Sequence, residues 1–180
     1  MQNSVYEAQV PVRALYKTSP ESAMVTDHAM TGGAEPADPF HTQVYMKAGA
    51  GAPLAVGVHG AVGGPYDAPC PGDLLCAALA ACQDSSVRLV ANLIGVELTA
   101  LTVEVKATAD IRGAMGLDRD VPVGFQSMSC DVRFKAREGT PAELLEKLRV
   151  AAERCCVVAQ TLRAPLALQT TFTADLTGSA

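Results

Sequence analysis

The 180-residue sequence predicts an α+β fold, with antiparallel sheets packed on two long helices. Apolar and polar residues alternate in three segments of the C-terminal half, as expected for half-buried strands. Apolar residues recur every three to four positions in two longer segments, as expected for helices that bury one face. The hydrophobic fraction of 49% is higher than in disordered chains, and the length suits a single domain over residues 1–180.

The N-terminal part is divided into residues 1–48, predicted to carry strands, and residues 49–72, predicted to form an irregular connection. Alternation from Phe40 to Lys47 predicts one strand, and the shorter alternation from Val10 to Leu15 predicts another. Eleven of the 26 Gly and Pro residues fall in the connection, which indicates turns there. The core is then expected in residues 73–180.

The first long helix is predicted to follow the Pro- and Gly-rich break that ends at Asp73 and to stop at Gly95. Its predicted apolar stripe repeats at helical spacing and consists of Leu75, Leu79, Cys82, Ser86, Leu89 and Leu93. Several alanines in this segment allow another element to pack very close to it.

The second helix has an explicit start signal. Thr140 is placed to cap the helix, Pro141 to take its first position, and Glu143 to bond back to the cap. We expect this helix to continue to about Leu162. Strands are predicted on both sides of it, at residues 101–110, 127–135 and 166–176.

Charge and hydropathy exclude several classes of partner. The net charge is 14 − 19 = −5 and no basic stretch is present, so a nucleic-acid partner is not expected. No apolar run reaches the ~18 residues of a membrane span, and the first residues do not resemble a secretory signal. We therefore expect a cytoplasmic protein without a membrane partner.

Six cysteines are the most reactive residues of the sequence, and they stand at positions 70, 76, 82, 130, 155 and 156. They lack the spacing of a zinc site, and a reducing cytoplasm keeps them as thiols. A thiol on each long helix is what a two-cysteine redox centre needs, because one thiolate attacks and the other captures the sulfenic acid. Periodicity does not decide whether Cys155 or Cys156 faces the core, and inert buried thiols remain an alternative.

Two segments carry a resemblance to a known family. The run Pro71-Gly72-Asp73-Leu74-Leu75, continued by Ala77-Ala78-Leu79-Ala80-Ala81-Cys82, resembles the signature of the OsmC/Ohr family. The run Cys156-Val157-Val158-Ala159-Gln160-Thr161-Leu162 resembles its second cysteine motif. The likeness spans about residues 55–176, so the whole chain is interpreted as one OsmC-like domain.

The resemblance implies an intertwined homodimer that reduces organic hydroperoxides at sites on the subunit interface. Cys82 would be the peroxidatic thiolate and Cys156 the resolving thiol, with Cys155 one residue out of register. The implied reductant is a dithiol, such as a lipoyl group, and no cofactor is implied.

An attacking thiolate needs a nearby cation. In the Ohr branch an arginine from the N-terminal sheet supplies it, held by a glutamate near the start of the cysteine helix. The corresponding candidates are Arg13 for the cation, with Lys17 or Lys47 as alternatives, and Asp73 for the carboxylate, although Asp73 is equally explained as a helix cap. Gly72 stands at the position of the glutamate. This departure favours an alternative function, an OsmC-fold protein that binds a small hydrophobic ligand with little or no turnover. A structural dimer with inert thiols is the third interpretation.

Overall fold

The structure is a computed structural model that describes residues 4–47, 51–164 and 166–174. It confirms the α+β class. The helices are α1 (Ser4–Thr18), α2 (Pro71–Ile94), α3 (Ile111–Ala114), α4 (Ala142–Cys155) and α5 (Val157–Arg163), with short 3-10 turns at Pro20–Ala23 and Gly60–Val62. The strands are β1 (Ala29–Thr31), β2 (His41–Met46), β3 (Leu54–Gly57), β4 (Leu98–Thr108) and β5 (Ser127–Ala136).

The strands form two separate antiparallel sheets. In the first, the order is β1-β2-β3, and Thr42 of β2 lies opposite Val56 of β3. In the second, β4 pairs with β5 along almost its whole length, and Val105 lies opposite Cys130. The strands predicted at residues 101–110 and 127–135 therefore correspond to β4 and β5, which pair with each other.

The core forms where α2 packs against the second sheet and α4. Leu148 of α4 is completely buried, and Phe134 of β5 packs on the same cluster. The buried members of the cluster are Val87, Val90, Ala91, Val96, Leu148 and Ala152. Burial of such side chains is the main favourable term in folding, so α2 is the central element of the protein.

The ends of α2 follow from local chemistry. At the start, Pro71 needs no N–H partner and the Asp73 carboxylate accepts the Cys70 N–H over 2.9 Å. At the end, Gly95 takes a left-handed conformation with φ 76°. The predicted stripe is rotated, however. Leu89 is 44% exposed, whereas the buried side chains are Leu79, Gln83, Ser86, Val87, Val90 and Ala91.

The N-terminal predictions are partly wrong. The strand predicted from Val10 to Leu15 lies inside the helix α1, where good helix formers outweigh a short alternation and the interior Pro11. Strand β2 confirms the prediction at residues 40–47. The connection of residues 49–72 is less irregular than expected, because β3 lies within it and pairs with β2.

The second long helix is also corrected. Thr140 does not cap it, because the Thr140 hydroxyl donates to the Arg137 carbonyl over 2.6 Å, and the helix starts one residue later, at Ala142. The helix does not run unbroken to Leu162. It is interrupted at Cys156, whose backbone is extended with φ −76° and ψ 101°.

The predicted third C-terminal strand is absent from residues 166–174, which have no regular structure. Leu166, Leu168 and Phe172 are 71%, 89% and 93% exposed. Their alternation is that of a strand, but none of the described strands pairs with this segment. The last two residues of that prediction, 175 and 176, lie outside the described residues.

Helix α2 alone among the described helices is long and apolar enough to cross a membrane by length and composition. Core helices of soluble proteins meet the same criteria, and α2 packs against β4 and α4 within the protein.

Candidate thiol redox site

The structure brings Cys82 and Cys156 together. Cys82 lies in the middle of α2 and is half-buried. Cys156 lies in the break between α4 and α5 and is completely buried. The two thiols lie close enough for Cys82 to raise the pKa of Cys156. The two cysteines that the sequence singled out are therefore neighbours in the structure.

The surroundings of Cys156 keep its thiol protonated. Burial is the largest cause and raises its pKa, whereas the Ala159 N–H, which faces the sulfur without forming a regular capping bond, lowers it. The interaction with Cys82 and the charge of Cys130 raise the pKa further. A negative charge on Cys82 thus opposes ionisation of Cys156.

The ambiguity between Cys155 and Cys156 is resolved by burial. Cys155 is exposed at the end of α4, and Cys156 is buried. The buried positions on this side are Leu148, Ala152 and Cys156, spaced four apart. Periodicity fits one apolar stripe through positions 144, 148, 151 and 155 and another through 145, 149, 152 and 156. The buried residues come from both stripes, which is why the sequence could not separate them.

Asp73 takes the capping role. Its carboxylate accepts bonds from the Cys70 N–H at 2.9 Å and from the Tyr66 hydroxyl at 3.1 Å. The Cys70 N–H is the largest cause that lowers the pKa of Asp73. Nine residues of helix separate Asp73 from Cys82, an axial distance of about 14 Å, so Asp73 and Cys82 lie at different levels of α2.

Gly72 has a packing explanation. A Cβ added to Gly72 would lie 3.2 Å from Cζ of Phe125, so a side chain there would have to displace that ring. The space that a glutamate would use next to the start of α2 is thus taken by an aromatic side chain.

Arg13 is not on a sheet, contrary to expectation, because its segment belongs to α1. Its guanidinium is exposed and bonds the Gln9 side chain one turn earlier, with Nη2 to Oε1 at 2.8 Å. This contact orients Arg13 along its own helix.

A cavity of about 550 Å³ is lined by chain neighbours of Cys82 and Cys156, but not by these two cysteines themselves. It lies between α2, β5, α4 and α5. Leu79 and Gln83 line it from positions close to Cys82, and Ala152 and Ala159 line it from positions close to Cys156. Arg149, Glu153 and Arg163 add charged groups to an otherwise largely apolar lining.

Gln83 is a candidate functional residue that the sequence did not reveal. It is only 6% exposed and lines the cavity, yet its amide makes no hydrogen bond to any described residue. Every fully enclosed side-chain oxygen or nitrogen of the described residues has a hydrogen-bond partner. The Gln83 amide has none, so it is not fully enclosed, and it opens into the cavity that Gln83 lines. A ligand that covers this amide must supply the hydrogen bond that the amide would otherwise make with water. The position therefore favours a ligand with a polar group. The only sign of Gln83 in the sequence is that it is a polar residue directly after Cys82 in an apolar helix.

Cys130 also reaches this cavity. Alternation along β5 places it on the same face as Val132 and Phe134, which pack on the core. Cys130 lines the cavity and is nevertheless exposed, so the cavity connects this sulfur to solvent. Within the described parts of the chain, no group of three or more His, Cys, Asp or Glu side chains is arranged to hold a metal ion.

Comparison with known families identifies the fold. The family model described as OsmC-like protein matches residues 63–171, more than half of the chain. The chain belongs to the OsmC-like family. The matched range contains both Cys82 and Cys156. No sequence among curated proteins matches this OsmC-like chain.

Solved OsmC-like structures share its architecture. An OsmC-like protein from Mycoplasma pneumoniae is 12% identical with a TM-score of 0.60, covering 77% of this chain and 88% of that one. An organic hydroperoxide resistance protein OsmC from Legionella pneumophila is 20% identical with a TM-score of 0.55, covering 78% and 90%. An organic hydroperoxide resistance protein from Elizabethkingia anophelis is also 20% identical, with a TM-score of 0.55 and coverage of 78% and 89%. At these identities the likeness establishes the shared fold.

Proposed function

We propose that this OsmC-like protein reduces organic hydroperoxides to alcohols through Cys82 and Cys156. The observation that carries the proposal is the proximity of Cys82, in the middle of α2, to the fully buried Cys156 thiol. The organic hydroperoxide resistance proteins among its structural neighbours add support at the level of the family.

The chemistry divides the two thiols by role. The Cys82 thiolate attacks the terminal peroxide oxygen, the O–O bond breaks, and the alcohol leaves after taking up a proton. The sulfenic acid on Cys82 is then attacked by Cys156, which forms a disulfide and releases water. Cys156 suits the second role because its thiol is fully buried and burial raises its pKa, which makes it the poorer nucleophile toward the incoming peroxide.

The cycle closes with an external reductant. A dithiol, for example a lipoyl group, would reduce the disulfide by exchange and leave as a cyclic disulfide. This chemistry fits a reducing compartment such as the cytoplasm, where both cysteines return to thiols.

The protein is further proposed to act as a homodimer. One face of the largely apolar helix α2 is exposed. It carries Ala78, Ala81, Ser85 and Leu89. The apolar side chains of residues 166–174 are exposed as well. Covering both surfaces with a second copy would remove them from water, as expected for an obligate dimer interface.

Three serine variants test the proposal in a hydroperoxide assay with a dithiol reductant. Cys82→Ser should abolish turnover. Cys156→Ser should permit one oxidation and then accumulate sulfenic acid that proceeds to sulfinic acid under excess peroxide. Cys155→Ser is the matched control and should retain the wild-type rate, because Cys155 is exposed and lies outside the pair. Turnover that survives Cys82→Ser would refute the mechanism.

The cavity favours a second candidate function, the binding of a small apolar ligand. Its volume of about 550 Å³ is typical of ligand sites, and the unpaired Gln83 amide supplies one polar contact. With 1-octanol as probe, calorimetry should detect binding that Gln83→Leu weakens. A protein that binds this probe and consumes no peroxide would be a binding protein.

A further inference from the structure

We propose that the cavity binds an amphipathic monocarboxylate, an apolar chain with a carboxylate at its outer end and a hydroxyl at its inner end. This inference rests on the proposed ligand-binding function of the cavity and deepens it, because it names the class of ligand. Neither Cys82 nor Cys156 lines the cavity, so the site is separate from the thiol pair and its ligand does not react with the thiols.

The walls of the cavity fit an apolar chain. Leu79 and Val87 line it from α2, Val132 and Phe134 from β5, and Leu148 from α4. Three of these side chains, those of Leu79, Val87 and Leu148, are buried in the protein, so this part of the wall is held in place by packing. A ligand chain laid against these walls leaves water, which favours binding.

The inner polar group of the site is the Gln83 amide. Gln83 is 6% exposed, and its side chain has no hydrogen-bond partner among the residues that the structure describes. An apolar chain that covers this amide deprives it of water without replacing the hydrogen bond, which weakens binding. A hydroxyl replaces that bond, because it can donate to the amide oxygen or accept from the amide N–H. A carboxylate is disfavoured at this depth, since burying a charge without a cation costs more than burying a hydroxyl.

The outer polar group is the Arg163 guanidinium, at the end of α5. Its Nη2 donates to the Glu153 carboxylate over 2.8 Å, and its Nε and Nη1 have no partner within the described part of the chain. Arg149 is the other cation of the wall, and all three of its nitrogens already bond Glu146 or Glu153. The side chain of Arg163 is 56% exposed, so the free donors of the site lie near its mouth.

The charges on the wall fit a single negative charge on the ligand. Arg149 and Arg163 are positive and Glu153 is negative, so the lining side chains carry a net charge of +1. A carboxylate neutralises this charge, and its two oxygens can accept from a guanidinium in parallel. A phosphate, with a charge closer to −2 at neutral pH, would leave an excess of negative charge beside Glu153. The site therefore favours a carboxylate at its mouth.

Calorimetry with three probes tests this assignment on the reduced full-length protein. The probe 10-hydroxydecanoate has both polar groups, decanoate lacks the hydroxyl, and 1,10-decanediol lacks the charge. We expect 10-hydroxydecanoate to bind about tenfold more tightly than decanoate, because it pairs the buried Gln83 amide. It should bind about threefold more tightly than the diol, because the carboxylate pairs with an arginine that is largely exposed. Added salt should reduce the second preference and not the first.

Two kinds of variant assign each preference to its residue. Gln83→Met keeps the size of the side chain and should abolish the preference over decanoate while keeping the preference over the diol, and Gln83→Leu should do the same. Arg163→Gln should have the reverse effect. Arg137→Gln is the matched control and should keep both preferences, because Arg137 is an exposed arginine that pairs with Glu97 and does not line the cavity.

The outcomes separate this ligand class from the binding function on which it rests. Equal affinity of wild type for the three probes would overturn the ligand class and leave binding by the cavity intact. Preferences that survive in Gln83→Met and in Arg163→Gln would overturn the site, since the probe would then be bound elsewhere. Binding of none of the probes would overturn both the ligand class and the binding function.

Discussion

The Tyr66 hydroxyl donates a hydrogen bond to the Asp73 carboxylate over 3.1 Å. This bond ties the loop before α2 to the first turn of α2, and the same carboxylate holds the Cys70 N–H. The ring of Tyr66 also packs on His59, with ring centroids 4.4 Å apart. The start of the cysteine helix is therefore anchored by side chains from its own approach segment.

Replacing Asp73 should destabilise the protein in a pH-dependent way. Asp73→Ala removes the cap and should cost about 1 kcal/mol at neutral pH. The folded-state pKa of Asp73 is lowered, chiefly by the Cys70 N–H, so its contribution is present above the unfolded pKa and is lost as pH falls through the folded value. Denaturant unfolding from pH 7 to pH 3 should show the wild-type advantage shrinking. Asp84→Ala, which removes only a surface pair with Arg88, is the control and should cost less.

His41 should make the first sheet sensitive to pH in the opposite sense. Its imidazole lies between Asp38 at 2.7 Å and Asp67 at 3.1 Å, and these bonds raise its pKa, Asp38 most. The stabilisation is complete below the unfolded pKa of His and is lost as pH rises through the higher folded value. The Tm difference between wild type and His41→Gln should therefore fall between pH 6 and pH 8. A proton NMR titration should show a lower His41 pKa in Asp67→Asn, and an unchanged value would contradict the bridge.

Gly95 should be sensitive to substitution because of its backbone. Its φ of 76° is unfavourable for any residue with a Cβ, so Gly95→Ala should cost roughly 1–2 kcal/mol. Gly124→Ala is the matched control, because Gly124 has an ordinary φ and a Cβ added there would meet no atom within 4 Å. Chemical denaturation of both variants measures the difference, and equal losses would rule out the backbone explanation.

Leu148 should be the most sensitive core position on α4. It is 0% exposed and packs in the cluster between α2 and the second sheet. Leu148→Ala leaves a cavity and should cost about 2–5 kcal/mol. Val150→Ala, on the same helix but 49% exposed, should change the free energy of unfolding by less than about 0.5 kcal/mol. Comparable losses in the two variants would mean that α4 does not pack as described.

The proposed dimer can be tested at the exposed face of α2. Wild type should scatter light as a dimer at micromolar concentration, with an interface above ~2,000 Å². Leu89→Arg places a charge on this face and should shift the protein toward monomers. Leu117→Arg adds the same charge in the turn after α3, at a residue that is 70% exposed, and should leave the dimer intact. A monomeric wild type would contradict the dimer.

Local signals made much of the fold predictable. Helix α2 was recognisable because a proline opens it, a left-handed glycine ends it and apolar residues repeat between them. Strands β4 and β5 were recognisable because each buries one face. The segment of α1 was not, because Val10 and Val12 alternate with polar residues over too few positions to outweigh the helix formers around them.

Contacts between residues far apart in the sequence could not be predicted from local patterns. The sequence offered Cys82 with either Cys155 or Cys156, and only the break between α4 and α5 turns Cys156 inward. The unpaired Gln83 amide and the access of Cys130 to the cavity depend on how α2, β5 and α5 come together. The segment 166–174 has the alternation of a strand, but strand formation also needs a neighbouring edge.

The break at Cys156 would let the proposed redox centre change state without melting a helix. Because Cys156 has extended dihedrals between two helices, rotation about one residue can adjust its sulfur while the turns of α4 and α5 stay intact. The Gln160 side chain donates to the Glu153 carbonyl over 3.0 Å and keeps the two helices joined across the break. Oxidised and reduced protein are therefore expected to have the same far-UV circular dichroism, and the proposed cycle would need no refolding of a segment.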